Sequence, residues 1–246
     1  MPHPKKVGTL PVGDGDEVKR TNEIKMAIPL LEAIDIEGKT ITADALLTQR
    51  RLAHYLVADR QAHYHFTVKG NQPRLLEDLT LCFQERHGPD AVSVDSGHGR
   101  IETRKIWIST ELNDYLDFPH VGQAFVIERE SVDKKTGKVS TETAYGITSC
   151  PPEQANADKV LNTNRNHWCI ENSCHYIIDW NFDEDRSRIR TGYGPENISR
   201  LRRFAVGLIK SKGVPSVAQK MRQLAMSVRL VLDYLRMTKK SAVSCA

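Results

Sequence analysis

With 246 residues, 39% of them hydrophobic and 27% charged, the chain has the composition of an ordinary globular protein and can bury a sizeable core. No apolar run reaches the length of a membrane span, the first residues lack the apolar stretch of a signal peptide, and five scattered cysteines suggest no disulfide framework. The net charge of +4 conceals an asymmetry, because from Arg186 onward 14 Lys/Arg are set against only Glu196 and Asp233. An acidic body with a basic last quarter suits a nucleic-acid binder with a carboxylate site, and equally a pair of solvated basic helices. The expected location is the cytoplasm.

Residues 1–18, rich in Pro and Gly, read as a loop or frayed end. A helix is expected over 22–34, capped by Asn22 and kinked at Pro29, with Ile24, Ala27, Ile28 and Leu31 on one face. Alternation then predicts a strand over 39–43 that ends on Asp44, a helix over 48–59, and a second strand over 63–68 closed by Lys69-Gly70-Asn71-Gln72-Pro73. Pro73 opens the next helix, buried by Leu75, Leu76, Leu79 and Phe83. Strand, helix, strand, helix is the pattern of a parallel α/β layer, and sites gather past the C-terminal ends of such strands. Asp44 stands there, although a strand-end Asp also caps a following helix.

From 91 to 148 the pattern changes to short alternating strands, with Lys134-Lys135-Thr136-Gly137-Lys138 as a hairpin loop. Within it, Gly97-His98-Gly99-Arg100 reads as a polar hairpin, with phosphate contact by His98, Arg100 and Arg104 as the alternative. Helix returns over 153–178, carrying His167, Glu171, Cys174 and His175 close to one face. A helix over 198–210 is expected to bury Leu201, Ala205, Leu208 and Ile209 and to expose Arg200, Arg202, Arg203 and Lys210. A final basic helix is expected over 217–237.

The run His167-x-Cys169-x4-Cys174-His175 has poor spacing for structural zinc, and no loop of oxyanion donors accompanies a cysteine nucleophile. No phosphate-binding Gly-rich loop is present. What remains is a carboxylate pair, Asp44 and Glu171, in an α/β frame with a basic tail. Hard Mg²⁺ prefers such oxygen donors, and Lys and Arg suit a phosphate backbone.

Seven segments appear in a characteristic order: Lys19-Arg20-Thr21-Asn22-Glu23-Ile24, Thr42-Ala43-Asp44-Ala45, Phe66-Thr67-Val68-Lys69-Gly70-Asn71-Gln72-Pro73, His98-Gly99-Arg100-Ile101-Glu102-Thr103-Arg104, His167-Trp168-Cys169-Ile170-Glu171-Asn172, Glu184-Asp185-x-Ser187-Arg188-Ile189-Arg190 and Pro195-Glu196-Asn197. Through them the chain resembles the DDE-type transposases of bacterial insertion sequences, in the ISAs-type branch that includes the H-repeat-associated proteins. The resemblance runs from about Glu17 to Lys210. It implies an α/β fold with a ribonuclease-H-like core, a β-rich insertion before the last catalytic helix, and a basic helical C-terminal segment. The expected divisions are 1–18, a first part of the core at 19–90, the insertion at 91–150, the catalytic Glu region at 151–190 and the basic helices at 191–246.

The resemblance places the family's second acidic residue on Asp44, in its Thr-x-Asp-Ala motif. Its catalytic Glu falls on Glu171, in a His-Trp-x-Ile-Glu-Asn motif where Cys169 replaces the usual Gly. Both are then ligands of Mg²⁺ or Mn²⁺. His167, one turn before Glu171, is a candidate for touching the scissile phosphate or orienting the Glu, with a helix-packing role as the alternative. Lys69, Arg100, Arg188 and Arg190 are the candidates for DNA backbone contacts. The family's first catalytic Asp belongs to an Asp-Gly-Lys motif upstream of the Asn-Glu-Ile segment, and neither Asp14 nor Asp16 stands in one. The chain is therefore expected to be a partial transposase whose core lacks its first strand or strands and one metal ligand. The implied activity is metal-dependent DNA cleavage and strand transfer, impaired by that loss; the alternative is an inactive remnant that only binds DNA. The implied partners are insertion-sequence ends and target DNA, with a homodimer left open and nucleoid association when DNA is bound.

Overall fold

The computed structural model describes residues 15–97, 99–168, 176–184 and 186–238. The chain divides between His167 and Trp168 into two compact units. In the first, α1 (Gly15–Glu32) leads to β1 (Thr40–Ala43), a 3₁₀ turn (Ala45–Leu47), α2 (Arg50–His54, continued by a wider π turn, Tyr55–Asp59) and β2 (His63–Val68). There follow α3 (Pro73–Cys82), β3 (Ala91–Gly97), β4 (Arg100–Ser109), β5 (Gln123–Asp133), β6 (Val139–Thr148) and α4 (Ala157–His167).

Six strands form one sheet in the order β1-β2-β6-β5-β4-β3. β1 and β2 are parallel, with Ala43 opposite Phe66, as the strand-helix-strand pattern requires. β6 pairs antiparallel to β2, and β5, β4 and β3 follow as antiparallel neighbours. The strands of 91–150 are thus hydrogen-bonded into the same sheet as β1 and β2. The result is a mixed α/β unit.

Side chains alternate between the two faces of a strand, so the register sorts the core into two layers. On one face Tyr64, Phe66, Val68, Ile147 and Val126 pack with Leu52, Leu56, Leu75, Leu79 and Phe83 from α2, its π turn and the α3 region. On the other, Ile106, Phe125 and Ile127 pack with Val160 and Leu161 of α4. Gly146 lies opposite Phe125 and Thr67 on this second face. A Cβ there would sit 2.1 Å from the Phe125 ring and 2.7 Å from the Phe66 carbonyl oxygen. The bare backbone at 146 is what lets the ring lie flat across β6 and stack on His65, with centroids 4.6 Å apart.

Several boundaries differ from the sequence-based expectation. α1 begins by Gly15, so Asn22 lies inside the helix rather than capping it. The helix expected from 153 starts at Ala157, because Gln154 and Ala155 donate to the Pro151 carbonyl and close a turn instead. The β3–β4 hairpin forms, with Gly99 at φ +78 in its turn and His98 outside the described residues.

The second unit contains a π turn (Ile177–Asn181), α5 (Gly194–Lys210), α6 (Val217–Ala225) and α7 (Val228–Tyr234). The single helix expected over 217–237 is two, broken where Ser227 adopts an extended backbone. On α5 the buried stripe is rotated from the expected one. Val206 and Ile209 are inside, Leu201 and Phe204 are exposed, and the Arg202 side chain is only 14% exposed. Arg202 turns inward toward Glu184, 3.9 Å away, and Ser199 donates to the same carboxylate at 2.5 Å.

Candidate active site

β1 ends at Ala43, and Asp44 follows with an extended backbone and an exposed side chain. Its Oδ1 accepts from the Leu47 amide at 3.3 Å, so it caps the 3₁₀ turn, and among the described residues its other oxygen takes no hydrogen bond. The loops after β1 and β2 are stitched together just beside it. The buried Thr48 hydroxyl donates to the Thr67 carbonyl at 2.7 Å, and the Gln72 amide to the Thr48 carbonyl at 2.9 Å. The Asn71 amide donates to the Ala45 carbonyl at 2.5 Å. Lys69, exposed at the end of β2, therefore shares with Asp44 the C-terminal edge of the parallel pair. This is the edge at which sites of α/β sheets form.

The last residue of α4 reaches the same strand: His167 Nδ1 lies 3.0 Å from the Thr42 hydroxyl, two residues before Asp44. One turn earlier, Asn164 meets His65 Nε2 at 3.3 Å. His65 is nearly fully buried, and burial pushes its imidazole down to about 4, with nearby His167 acting in the same direction. The structure thus gathers Thr42, His65, Asn164 and His167 beneath the strand that carries Asp44. Of these, sequence reasoning put forward only His167 as a site residue. Arg165 of α4 fixes the helix again by pairing with Asp95 of β3 at 2.9 Å.

Of the other candidates in the first unit, Arg100 is not brought together with Asp44, since three strands separate β4 from β1. Arg100 begins β4, six residues along the strand from Ile106, roughly 20 Å at the usual rise per residue. There it pairs with Glu102 at 3.1 Å, beside the Glu102–Arg104 and Arg104–Asp95 contacts. Arg188 and Arg190 are exposed in the second unit, in the segment before α5. Glu171 lies outside the described residues, as do Cys169, Cys174 and His175. The two described free cysteines, Cys82 and Cys150, are remote in sequence from that motif. Asp44 is a hard oxygen donor of the kind Mg²⁺ takes, but among the described residues no three metal-ligating side chains converge. The donor chemistry fits in kind, and the described set is incomplete.

Residues 15–197 match the family described as "Transposase DDE domain", which covers most of the chain. The chain belongs to this family. It is 29% identical over 231 residues to "Putative protein YbfL" of Escherichia coli (strain K12), covering 89% of this chain and 60% of that protein. It is 30% identical over 203 residues to "Putative transposase YncI" of Escherichia coli O157:H7, covering 78% of this chain and 50% of that one. A third relative, "H repeat-associated putative transposase YhhI" of Escherichia coli (strain K12), is 29% identical over 232 residues, covering 89% and 60%. The chain thus spans 50 to 60% of the length of these relatives. No helix among the described residues is long and apolar enough to cross a membrane.

Proposed function

We propose that the chain is the part of an insertion-sequence transposase that carries two of its catalytic carboxylates, Asp44 and Glu171, within a ribonuclease-H-like core, and that its substrate is DNA. The observation that carries this reading is the His167–Thr42 contact. It ties the end of α4, from which the chain runs directly into the Glu171 motif, to the strand that ends in Asp44. A bound Mg²⁺ or Mn²⁺ would supply Lewis-acid activation of the attacking and leaving oxygens. Asp44 and Glu171 would be its ligands, and His167 a positioning residue that holds α4 against β1. Lys69, on the same sheet edge as Asp44, neutralises backbone phosphate next to the carboxylate. Arg188 and Arg190 add backbone contacts from the second unit, and Arg100 adds another from the β3–β4 hairpin.

A second reading, binding without cleavage, is favoured by the capping role of Asp44. One experiment separates the two. Purified chain is incubated with DNA bearing element ends, with Mg²⁺ or Mn²⁺, beside Asp44→Asn and Glu171→Gln variants. Metal-dependent nicking lost in both variants supports the catalytic reading. Steeply salt-dependent binding with no nicking in any form supports the binding reading. Absence of salt-dependent binding altogether removes DNA as the substrate.

A further inference from the structure

His54 and His120 have no part in the chemistry above. His54 closes α2, and His120 follows Pro119 in the segment between β4 and β5. Nδ1 of His54 faces Nε2 of His120 at 3.1 Å, with the ring planes 28° apart and the centroids separated by 5.2 Å. Both side chains are exposed.

The backbones that present them are anchored. Ala53, beside His54, is fully buried, and Leu116 and Phe118 pin the 110–122 segment into the core. The Tyr64 hydroxyl donates to the Pro119 carbonyl at 2.9 Å, one residue before His120. Arg50, at the start of α2, grips Asp117 through two hydrogen bonds of 2.7 and 2.6 Å. Helix and segment are therefore fixed to each other by packing and by an ion pair, independently of the two rings.

With one proton shared between them, the facing nitrogens form a hydrogen bond. The same spacing suits two nitrogen ligands of one metal ion. Zn–N bonds of about 2.0–2.1 Å closed over this separation subtend roughly 100°, near the tetrahedral angle. We propose that His54 and His120 form a two-imidazole site for a borderline divalent transition metal, Zn²⁺ above all. The ion replaces the shared proton but sits roughly 1.3 Å off the line between the two nitrogens, so each exposed ring turns to aim its lone pair at it, and the ion links α2 to the β4–β5 connection. Imidazole selects Zn²⁺, Ni²⁺ and Cu²⁺ over Mg²⁺, so this site is chemically separate from the carboxylate of Asp44. Among the described residues no third His, Cys, Asp or Glu joins the pair, so water fills the remaining positions.

The test is a Zn²⁺ titration of the full chain followed by the imidazole C–H resonances, with His54 and His120 assigned from His54→Gln and His120→Gln. Both resonances should shift together and saturate in one process, and Mg²⁺ should move neither. Each variant should bind one Zn²⁺ equivalent fewer than the parent and should lose the response of the surviving partner. Zinc held elsewhere on the chain leaves that pairwise loss intact. Resonances that respond separately or not at all, or full stoichiometry in either variant, would overturn the site. Circular dichroism verifies folding, and because His120 is an exposed residue outside helix and strand, its variant stands alone should His54→Gln disturb α2.

Discussion

The two units differ in how completely each buries its own apolar side chains. In the first, Tyr64, Phe66, Leu56, Leu79, Ile106 and Ile147 are fully buried, in two layers on opposite faces of one sheet. In the second, Ile178, Val206, Ile209 and Val217 are the buried apolar residues among those described. Trp180, Tyr193, Leu201, Phe204, Met226, Val228 and Met237 remain exposed there. A sheet with helices on both faces makes a core by itself, whereas short amphipathic helices leave apolar surface uncovered. Stability should therefore reside in the first unit. Phe66→Ala is expected to cost about 3–5 kcal/mol, the usual loss for a buried aromatic, while Phe204→Ala should change stability by less than about 0.5 kcal/mol. Chemical denaturation of both variants checks this. A large effect at Phe204 would show that its ring is covered in solution and would break the contrast.

The next largest effect concerns the polar layer beneath β1. His65 is held neutral by burial, its pKa lowered from 6.5 to about 4. Between those values the unfolded chain binds the proton and the folded chain does not. Stability is therefore complete above pH 6.5, falls as the pH drops through that window, and levels off below about 4. The span is up to about 3 kcal/mol. His65→Phe keeps a ring against Phe125 and removes the titrating group, so its stability should lose that slope between pH 6.5 and 4. An unchanged slope would place the proton uptake on another group.

That His65 matters was hidden in the sequence for a definite reason. In the alternation of β2, His63, His65 and Thr67 form the polar face, which in a sheet covered on one side would meet water. Here α4, about 90 residues downstream, covers it, and no local pattern announces a covering helix so distant in the chain. The parallel β1–β2 pair and α3 were legible because alternation, Asp44 and Pro73 are local signals. The pairing of β6 with β2 was not, since alternation identifies strands without naming their partners. The break in the last helix did have a signal. Ser216-Val217 and Ser227-Val228 both set a helix-capping residue before an apolar one, and each begins a helix. Asp44 is a candidate from its strand end as well as its motif, whereas Glu171 rests on its motif.

A smaller effect is expected where the second sheet face packs most closely. Gly146→Ala sets a methyl group against both the Phe125 ring and the Phe66 carbonyl. The ring, which is stacked on His65, must then move. The expected loss is about 1–3 kcal/mol, the usual range for overpacking. It should be accompanied by a higher His65 pKa as the displaced ring admits water. Denaturation together with histidine NMR checks both parts, and an unshifted His65 would show that the stack does not seal it.

The smallest effect on stability is expected at the residue of greatest functional interest. Asp44 caps the 3₁₀ turn and is proposed to bind metal, and substitutions can separate the two, because capping needs only an acceptor oxygen while metal binding needs the charge. Asp44→Asn retains the acceptor, and Asn caps as well as Asp, so stability should be unchanged within a few tenths of a kcal/mol. Asp44→Ala loses the cap and should cost about 1 kcal/mol. If the carboxylate is a metal ligand, both variants lose metal-dependent nicking to the same extent despite their different stabilities. If Asp44 is a cap alone, only the Ala variant differs from the parent, and only in its denaturation midpoint. The two substitutions read together thus distinguish an inherited catalytic carboxylate from a strand-end cap.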